Sequence, residues 1–179
     1  LAVDASHYLH APDAVMRARS AADVGIAMRV AAQMNWPLTF RGGGTSLCGQ
    51  ALSEGLTVDA RRHFRNMEVL DDGRRVRVQP GLTVTQVNTA LARYGTKLGP
   101  DPASSIACTI GGNVAENSGG VHCLKYGLTL HNVLRVRGFT VEGEAVEFGS
   151  EALDAAGLDL MGVLVGSEGM LAVTTEVTV

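Results

Sequence analysis

Three glycine-rich segments, widely separated along the chain, restrict its fold more than any other feature of the sequence. They are residues 41–49 (RGGGTSLCG), 109–120 (TIGGNVAENSGG) and 166–169 (GSEG). Clustered glycines lack the Cβ atoms that would block a ligand, and they let several backbone N–H groups converge on an anion. A single polyphosphate needs one such segment. Three of them therefore indicate a longer ligand of dinucleotide size, which lies across most of the chain.

The first segment does not match the two common nucleotide-binding loops. No Lys follows its last glycine, as a P-loop would require, and no amphipathic helix begins behind Gly49, as a Rossmann fingerprint would require. Thr45 and Ser46 add hydroxyl donors to the loop. Taken alone, the segment is also compatible with a flexible Gly/Ser turn. The pattern as a whole disfavours both P-loop and Rossmann folds.

Composition excludes several classes of protein. The chain has 179 residues, 46% of them apolar, which is enough for one domain or for two small lobes that share a ligand. The net charge of -3 and the scattered Lys and Arg residues give no basic patch, so we expect no nucleic-acid partner. The three cysteines form no Cys-x-x-Cys pair, which argues against a disulfide framework and a zinc site. We therefore expect no bound metal and a reducing, cytoplasmic setting.

Residues 1–79 are expected to form a first α+β lobe. Ser20 and Asp23 predict a capped helix, whose apolar face includes Val24, Met28 and Met34. Alternating or β-branched runs predict strands at 36–40, 56–59, 67–70 and 76–79.

Residues 80–179 are expected to form a second α+β lobe. The pattern predicts a helix over 83–94 that ends at Gly95, and a long loop over 98–127. Strands are predicted at 133–140 and 145–148, a short helix at 158–161, and a last strand after Gly169. Because the chain begins with Leu and stops inside an alternating strand, we expect a truncated or processed piece.

Five motifs, in order along almost the whole chain, carry a resemblance to a known family. They begin at Arg41 (RGGGTSLxG), Asp101 (DPASS), Thr109 (TIGGNxAxN), Lys125 (KYG) and Gly166 (GSEGxL). Together they resemble the FAD-binding domain of the vanillyl-alcohol oxidase and p-cresol methylhydroxylase superfamily. Residues 107–129 and 174–179 are most similar to the flavoprotein subunits of bacterial glycolate oxidases. The resemblance implies an α+β, two-lobed fold with FAD between the lobes, and a C-terminal cap domain that is absent from this chain.

The resemblance also implies which residues bind the cofactor. Those implied to hold the pyrophosphate are Gly42, Gly43, Gly44, Thr45 and Ser46. Those implied to line the flavin are Pro80, Gly81, Pro102, Ser105, Gly111, Gly112, Ala115 and Gly119. Those implied to lie near the ribose and adenine are Gly166, Glu168, Gly169 and Val173. The remaining motif positions implied to bind FAD are Arg41, Gly49, Thr109, Asn113, Asn117 and Gly120.

Some positions depart from the pattern of the family. Relatives that bind flavin covalently often do so through a His in the first loop, where this chain has Thr45, so we expect noncovalent FAD. Met170 and Ala172 stand where a smaller residue or glycine is frequent in relatives. The family carries its proton-accepting residues mainly in the cap domain, so no catalytic residue is assigned here.

The function implied by the resemblance is oxidation of a small 2-hydroxy acid, such as glycolate or D-lactate, by hydride transfer to FAD. The implied partners are a second flavin-binding subunit and an iron–sulfur subunit, through which a cytoplasmic protein would associate with the membrane. Two alternatives stay open. One is another FAD-linked oxidoreductase of the superfamily, acting on a sugar lactone, an alcohol or a cell-wall precursor. The other is a non-catalytic flavin-binding module of a larger complex.

Two residue pairs and Glu168 each allow more than one interpretation from the sequence. We interpret His122 and Cys123 as a packing pair without a functional role. Lys125 and Tyr126 are equally compatible with an approach to the flavin and with an ordinary surface position. Glu168 is expected to meet a ribose hydroxyl rather than to cap backbone N–H groups.

Overall fold

The computed structural model describes residues 1–150 and 157–179, and its strands form two sheets. The first sheet has three strands, β1 (Ala14–Arg17), β2 (Leu38–Arg41) and β3 (Leu56–Asp59). Their order is β1-β3-β2, and both outer strands run parallel to β3. The glycine segment at 42–49 leaves the carboxyl end of β2.

Helix α1 (Ala21–Gln33) connects the first two strands and packs against the small sheet. Ser20 and Asp23 form the predicted capping box at its start. The helix buries Val24, Ala27, Met28 and Ala31 along one face. Met34 is the C-cap residue and is exposed, so its predicted place on the buried face is wrong.

The second sheet has five strands, β4 (Met67–Leu70), β5 (Arg75–Val78), β6 (Arg135–Thr140), β7 (Ala145–Gly149) and β8 (Ala172–Thr178). Their order is β4-β5-β8-β6-β7, and each neighbouring pair is antiparallel. The last strand of the described chain thus lies at the centre of the sheet.

The two sheets group the strands differently from the expected lobes, 1–79 and 80–179. Strands β4 and β5, expected in the first lobe, belong to the second sheet because β5 pairs with β8. Val76 and Val78 accordingly lie in the larger core, together with Val84 and Val177. We propose that the boundary between the lobes lies between the end of β3 and the start of β4.

The helices of the second part differ in how well the sequence predicted them. Helix α2 (Val84–Leu91) continues into a 3-10 turn that ends at the left-handed Gly95, as expected. Helix α5 (Leu160–Leu164) begins two residues later than predicted. Helices α3 (Ile110–Glu116) and α4 (Cys123–Tyr126) lie where only a loop was predicted, so that prediction is wrong over these residues.

Two hydrophobic cores meet at the second sheet. The smaller core, formed by α1 and the three-stranded sheet, also contains Val173 and the partly buried Phe139. A Cβ atom on Gly25 of α1 would lie 2.8 Å from the Phe139 ring, so helix and strand are in close contact. None of the helices in the described ranges has the length and apolar character needed to span a membrane.

Candidate functional site

The first and second glycine segments are in direct contact. A Cβ atom on Gly42 would lie 2.5 Å from the Thr109 hydroxyl oxygen, and one on Gly43 would lie 2.9 Å from the carbonyl carbon of Ala107. Only glycine allows this approach without displacement of the neighbouring chain. The fold therefore brings together two segments that lie more than sixty residues apart.

The loop that follows β2 carries a row of unused backbone donors. No backbone N–H of residues 42–48 donates a hydrogen bond to any group within the described part of the chain. Successive backbone N–H groups without a partner in the protein are able to bind an anion. The loop therefore has donors available for a negatively charged ligand.

Arg41 places a positive charge beside this loop. Its Nη2 donates to the carbonyl of Val3 at 2.8 Å and its Nη1 to the carbonyl of Leu1 at 3.3 Å, while the guanidinium packs against Gly44. Burial lowers the pKa of Arg41, although an arginine stays protonated at neutral pH. Arg41 thus ties the N-terminal segment to the loop and favours an anion there.

The two hydroxyl groups of the loop differ in their hydrogen bonding. Ser46 hydrogen-bonds to the Gln50 side-chain carbonyl oxygen, so that bond must be exchanged if Ser46 is to meet a phosphate. The Thr45 hydroxyl has no partner within the described residues. Gly49 adopts a left-handed conformation, with φ 86°, and packs against the Tyr8 ring.

Helix α3 anchors the second segment to the turn at Pro80 and Gly81. The backbone N–H of Gly111 donates to the carbonyl of Pro80 at 3.0 Å, and that of Ile110 donates to the carbonyl of Leu82 at 2.9 Å. The turn and the helix therefore form one unit.

Most glycines of this region are explained by contacts within the chain. Added Cβ atoms on Gly111 and Gly119 would lie 2.6 Å and 2.7 Å from Pro80 and Leu128, and one on Gly120 would overlap Asp101. Only Gly112 keeps space, with its nearest contact at 3.4 Å. Glycine spacing is thus weaker support for a bound ligand here than the sequence suggested.

Two of the expected cofactor-binding residues are buried beneath the segment. Thr109 is 2% exposed and caps α3 by accepting the N–H of Gly112 at 3.3 Å. Asn113 is 5% exposed, and its Oδ1 has no partner within the described residues. Asn113 also lines a cavity of about 20 Å³, together with Thr129 and Asn132. Thr109 and Asn113 therefore lie inside the protein and not at its surface.

The third segment is joined to the end of α3. The N–H of Gly166 donates to the carbonyl of Val114 at 2.9 Å, and the N–H of Glu168 donates to the carbonyl of Ala115 at 2.8 Å. The Glu168 carboxylate accepts no backbone hydrogen bond within the described residues, so the capping role is absent. Burial, and then the charge of Glu168, raise the pKa of Glu116.

The remaining expected residues occupy the rim of the same region. The N–H of Ser105 donates to the carbonyl of Pro102 at 2.9 Å, and the Ser105 carbonyl accepts the N–H of Thr85 in α2 at 3.1 Å. Asn117 ends α3 in the left-handed conformation, and its Oδ1 accepts the N–H of Leu130 at 3.0 Å. Val173 is buried in the smaller core, and Gly169 has open space beside it.

The polar pair formed by Asp101 and His122 was not predicted from the sequence. The ring Nδ1 of His122 donates to the carboxylate of Asp101, which holds the pKa of Asp101 below its ordinary value. The interpretation of His122 as a packing partner of Cys123 is wrong, because its side chain is 58% exposed and bonds to Asp101. No local signal links two residues 21 positions apart. Lys125 lies with its Nζ 4.9 Å from the centroid of the Tyr126 ring.

Comparison with known proteins gives matches to a family model, to named relatives and to a solved structure. Residues 12–149 match the model of an FAD binding domain family. The chain is 46% identical to glycolate oxidase subunit GlcD of Escherichia coli strain K12 over 176 residues, which is 97% of this chain and 35% of the relative. It is 33% identical to D-lactate dehydrogenase of Archaeoglobus fulgidus over 168 residues, or 92% of this chain and 38% of the relative.

A solved structure, that of an alkyldihydroxyacetonephosphate synthase, superposes with a TM-score of 0.81 at 26% identity, over 96% of this chain and 32% of that one. The chain spans little more than a third of the length of these two relatives. Fold and family agree with the resemblance found in the five motifs, and FAD is the cofactor that the family implies. The chain belongs to the FAD-binding domain family of p-cresol methylhydroxylase-type FAD-linked oxidases.

Proposed function

We propose that the protein oxidises a small 2-hydroxy acid, such as glycolate or D-lactate, to the 2-oxo acid with FAD as the hydride acceptor. Support comes from relatives named for 2-hydroxy acids, a glycolate oxidase subunit and a D-lactate dehydrogenase. Because the chain spans little more than a third of their length, the activity of the whole protein is an inference from similarity.

The binding of FAD is supported most directly by the N–H groups of 42–48, which have no partner within the described residues. We assign the pyrophosphate to this loop, where Gly42 to Ser46 supply donors and Arg41 supplies positive charge. A charged phosphate oxygen gains more from such donors than a neutral acceptor does. The contact between this loop and residues 107–109 would fix the cofactor relative to α3.

The other segments are assigned to the rest of the cofactor. We place the flavin along Gly112, the one glycine of α3 with open space, beside the turns at 80–81 and 102–105 and the pair at 119–120. The ribose and adenine are placed along residues 166–169 and Val173. Bound FAD would accept the hydride from the α-carbon of the acid. These residues would bind and orient the cofactor, and we assign no proton acceptor within this chain.

Attachment of the cofactor is proposed to be noncovalent. Thr45 occupies the loop position at which covalent members of the family often carry His, and a threonine hydroxyl lacks the nucleophilic ring nitrogen. The Thr45 hydroxyl, which has no partner within the described residues, is proposed to hydrogen-bond to the pyrophosphate instead.

The partners are proposed from the relative's name. GlcD is named as a subunit of glycolate oxidase. We propose that this protein likewise works with a second flavin-binding subunit and an iron–sulfur subunit, which receive its electrons. On this proposal the protein is cytoplasmic and reaches the membrane through those subunits.

The test is anaerobic reduction of FAD in the full-length protein. Glycolate and D-lactate are expected to bleach the visible flavin absorbance. L-lactate, which has the same atoms as D-lactate, is the control and should not bleach it. Bleaching by a sugar lactone or an alcohol, but by no hydroxy acid, would support a different oxidoreductase of the superfamily. A bound flavin that no substrate reduces, but that dithionite reduces, would support a non-catalytic module.

A further inference from the structure

The carboxylate of Asp101 binds His122 through two hydrogen bonds. Its Oδ1 accepts the backbone N–H of His122 at 3.2 Å, and its Oδ2 accepts the ring Nδ1–H. Two bonds to one carboxylate fix both the side-chain rotamer of Asp101 and the path of the chain at His122.

The backbones of the two segments also touch beside this pair. A Cβ atom on Gly120 would lie 2.5 Å from the backbone carbonyl carbon of Asp101, and it would overlap the Asp101 carboxylate. No side chain separates the two segments at this point. Their spacing is therefore set by the contact at Gly120 and by the bonds to His122.

Both segments flank the flavin in the site proposed above. Asp101 directly precedes Pro102, and His122 follows Gly119 and Gly120. A change in their spacing would move one wall of that site relative to the other. The pair thus stands where it can control the fit of a flat ring system.

The surroundings of the pair favour an ionised carboxylate. The hydrogen bond from the His122 ring lowers the pKa of Asp101, and the backbone N–H of His122 and the charge of Lys97 add to this effect. The Tyr126 ring lies edge-on to the His122 ring, at 6.2 Å between centroids. The Nζ atoms of Lys97 and Lys125 lie 5.4 Å and 4.9 Å from the Tyr126 ring centroid.

We propose that His122 is a positioning residue for the flavin: bonded to Asp101, it holds the segments at 101–105 and 119–122 together and so sets the affinity for FAD. The inference rests on the proposed placement of the flavin beside these segments. Because His122 is more than half exposed, the pair contributes little to global stability, as exposed ion pairs generally do. Its main effect is expected on the cofactor.

The test compares two substitutions of His122 in the full-length protein. His122→Asn keeps an N–H donor near the position of Nδ1, whereas His122→Ala removes it. The dissociation constant for FAD is measured by quenching of flavin fluorescence at a temperature well below unfolding. Hydrogen exchange of the amides at 119–123 is measured on the apoprotein, as a readout that needs no cofactor.

We expect His122→Ala to weaken FAD binding about tenfold or more and to speed exchange at 119–123, since a charge-assisted bond is lost. His122→Asn is expected to stay within about threefold of the parent protein. Equal FAD affinity in the parent and His122→Ala proteins would overturn the inference, and so would equal loss in both variants. If the parent protein itself binds no FAD, both the proposed site and the role of His122 are wrong. If the parent binds FAD and one of the two results above is found, only the role of His122 is wrong.

Discussion

At the scale of single residues, the glycines of the site serve two different purposes. A Cβ atom on Gly43 would meet the Ala107 carbonyl, so Gly43 is needed for contact within the protein. We expect Gly43→Ala to lower the free energy of unfolding of the apoprotein by about 2 kcal/mol, the usual size of an overpacking cost. Urea denaturation followed by circular dichroism measures it.

Gly112 provides the matched opposite case. An added Cβ atom has its nearest contact at 3.4 Å, and alanine favours a helix more than glycine does. We therefore expect Gly112→Ala to leave apoprotein stability unchanged or raised by up to about 1 kcal/mol, yet to weaken FAD binding at least about tenfold. Unchanged FAD affinity in this variant would mean that the flavin does not lie along Gly112.

Arg41 is expected to act on the cofactor through the loop. Arg41→Met keeps an unbranched side chain but removes the bonds to the carbonyls of Val3 and Leu1 and the charge beside Gly44. Hydrogen bonds to charged groups contribute about 1.5–3 kcal/mol, so FAD affinity should fall at least about tenfold. Isothermal titration measures the affinity, and faster tryptic cleavage near the N-terminus would report the released segment. Arg41→Lys, which keeps the charge, should lose less.

The pair of Asp101 and His122 predicts a pH dependence with a definite sign. The pKa of Asp101 is lowered from its ordinary value of 3.8, so its ionised form stabilises the folded state above that value. This contribution is lost as the pH falls through the folded-state pKa. The difference in unfolding free energy between the parent and Asp101→Asn chains is expected to be small at pH 5, because the pair is exposed, and to shrink further below about pH 4. A difference that grows on acidification would contradict the assignment.

At the scale of elements, the end of α3 depends on one asparagine. Asn117 has φ 50° and accepts the N–H of Leu130, so it satisfies both a left-handed turn and a backbone donor. Asn117→Ala should destabilise the apoprotein by about 1–2 kcal/mol, because alanine supplies neither. Asn117→Gly, which tolerates the turn but lacks the acceptor, should lose less in the same thermal or urea unfolding experiment. Equal losses would show that backbone strain is not the cause.

The sequence predicted those elements whose signals are local. Helices α1 and α2 have complete capping boxes, at Ser20 with Asp23 and at Thr83 with Gln86. Helix α3 was missed because Gly111 and Gly112 reduce helix propensity, and because its start is held by the distant Pro80 and Leu82. Strands β4 and β5 were expected in the first lobe for a similar reason: β5 pairs with β8, which lies about a hundred residues later in the chain.

The candidate site shows the same division. The glycine segments could be recognised from the sequence because runs of glycine mark places where the backbone can turn freely or approach another group closely. Their contacts, Gly42 with Thr109 and Gly166 with Val114, confirm that the fold brings them together. The bond between Asp101 and His122 is a tertiary contact without a sequence period, and so it could not be anticipated.

At the scale of the whole molecule, both hydrophobic cores include residues of the second sheet. The three glycine segments follow one another in space. Segments 41–49 and 166–169 both adjoin the second segment, the first near its start and the last near the end of α3. A ligand that spans all three segments should stabilise the chain more than either half of that ligand. We expect FAD to raise the melting temperature more than ADP or FMN at equal concentrations, because stabilisation follows affinity for the folded state. Equal shifts with ADP and FAD would restrict the site to the adenine end.

The most direct test of the account is the absorbance spectrum of the purified chain, incubated with FAD and freed of excess ligand. We expect flavin bands that stay with the folded protein and that move entirely to the supernatant on acid precipitation, since Thr45 cannot form the covalent link. A colourless chain that also gives no flavin bands as full-length protein would contradict the assignment of the glycine segments to FAD. Flavin retained in the acid precipitate would contradict the noncovalent attachment.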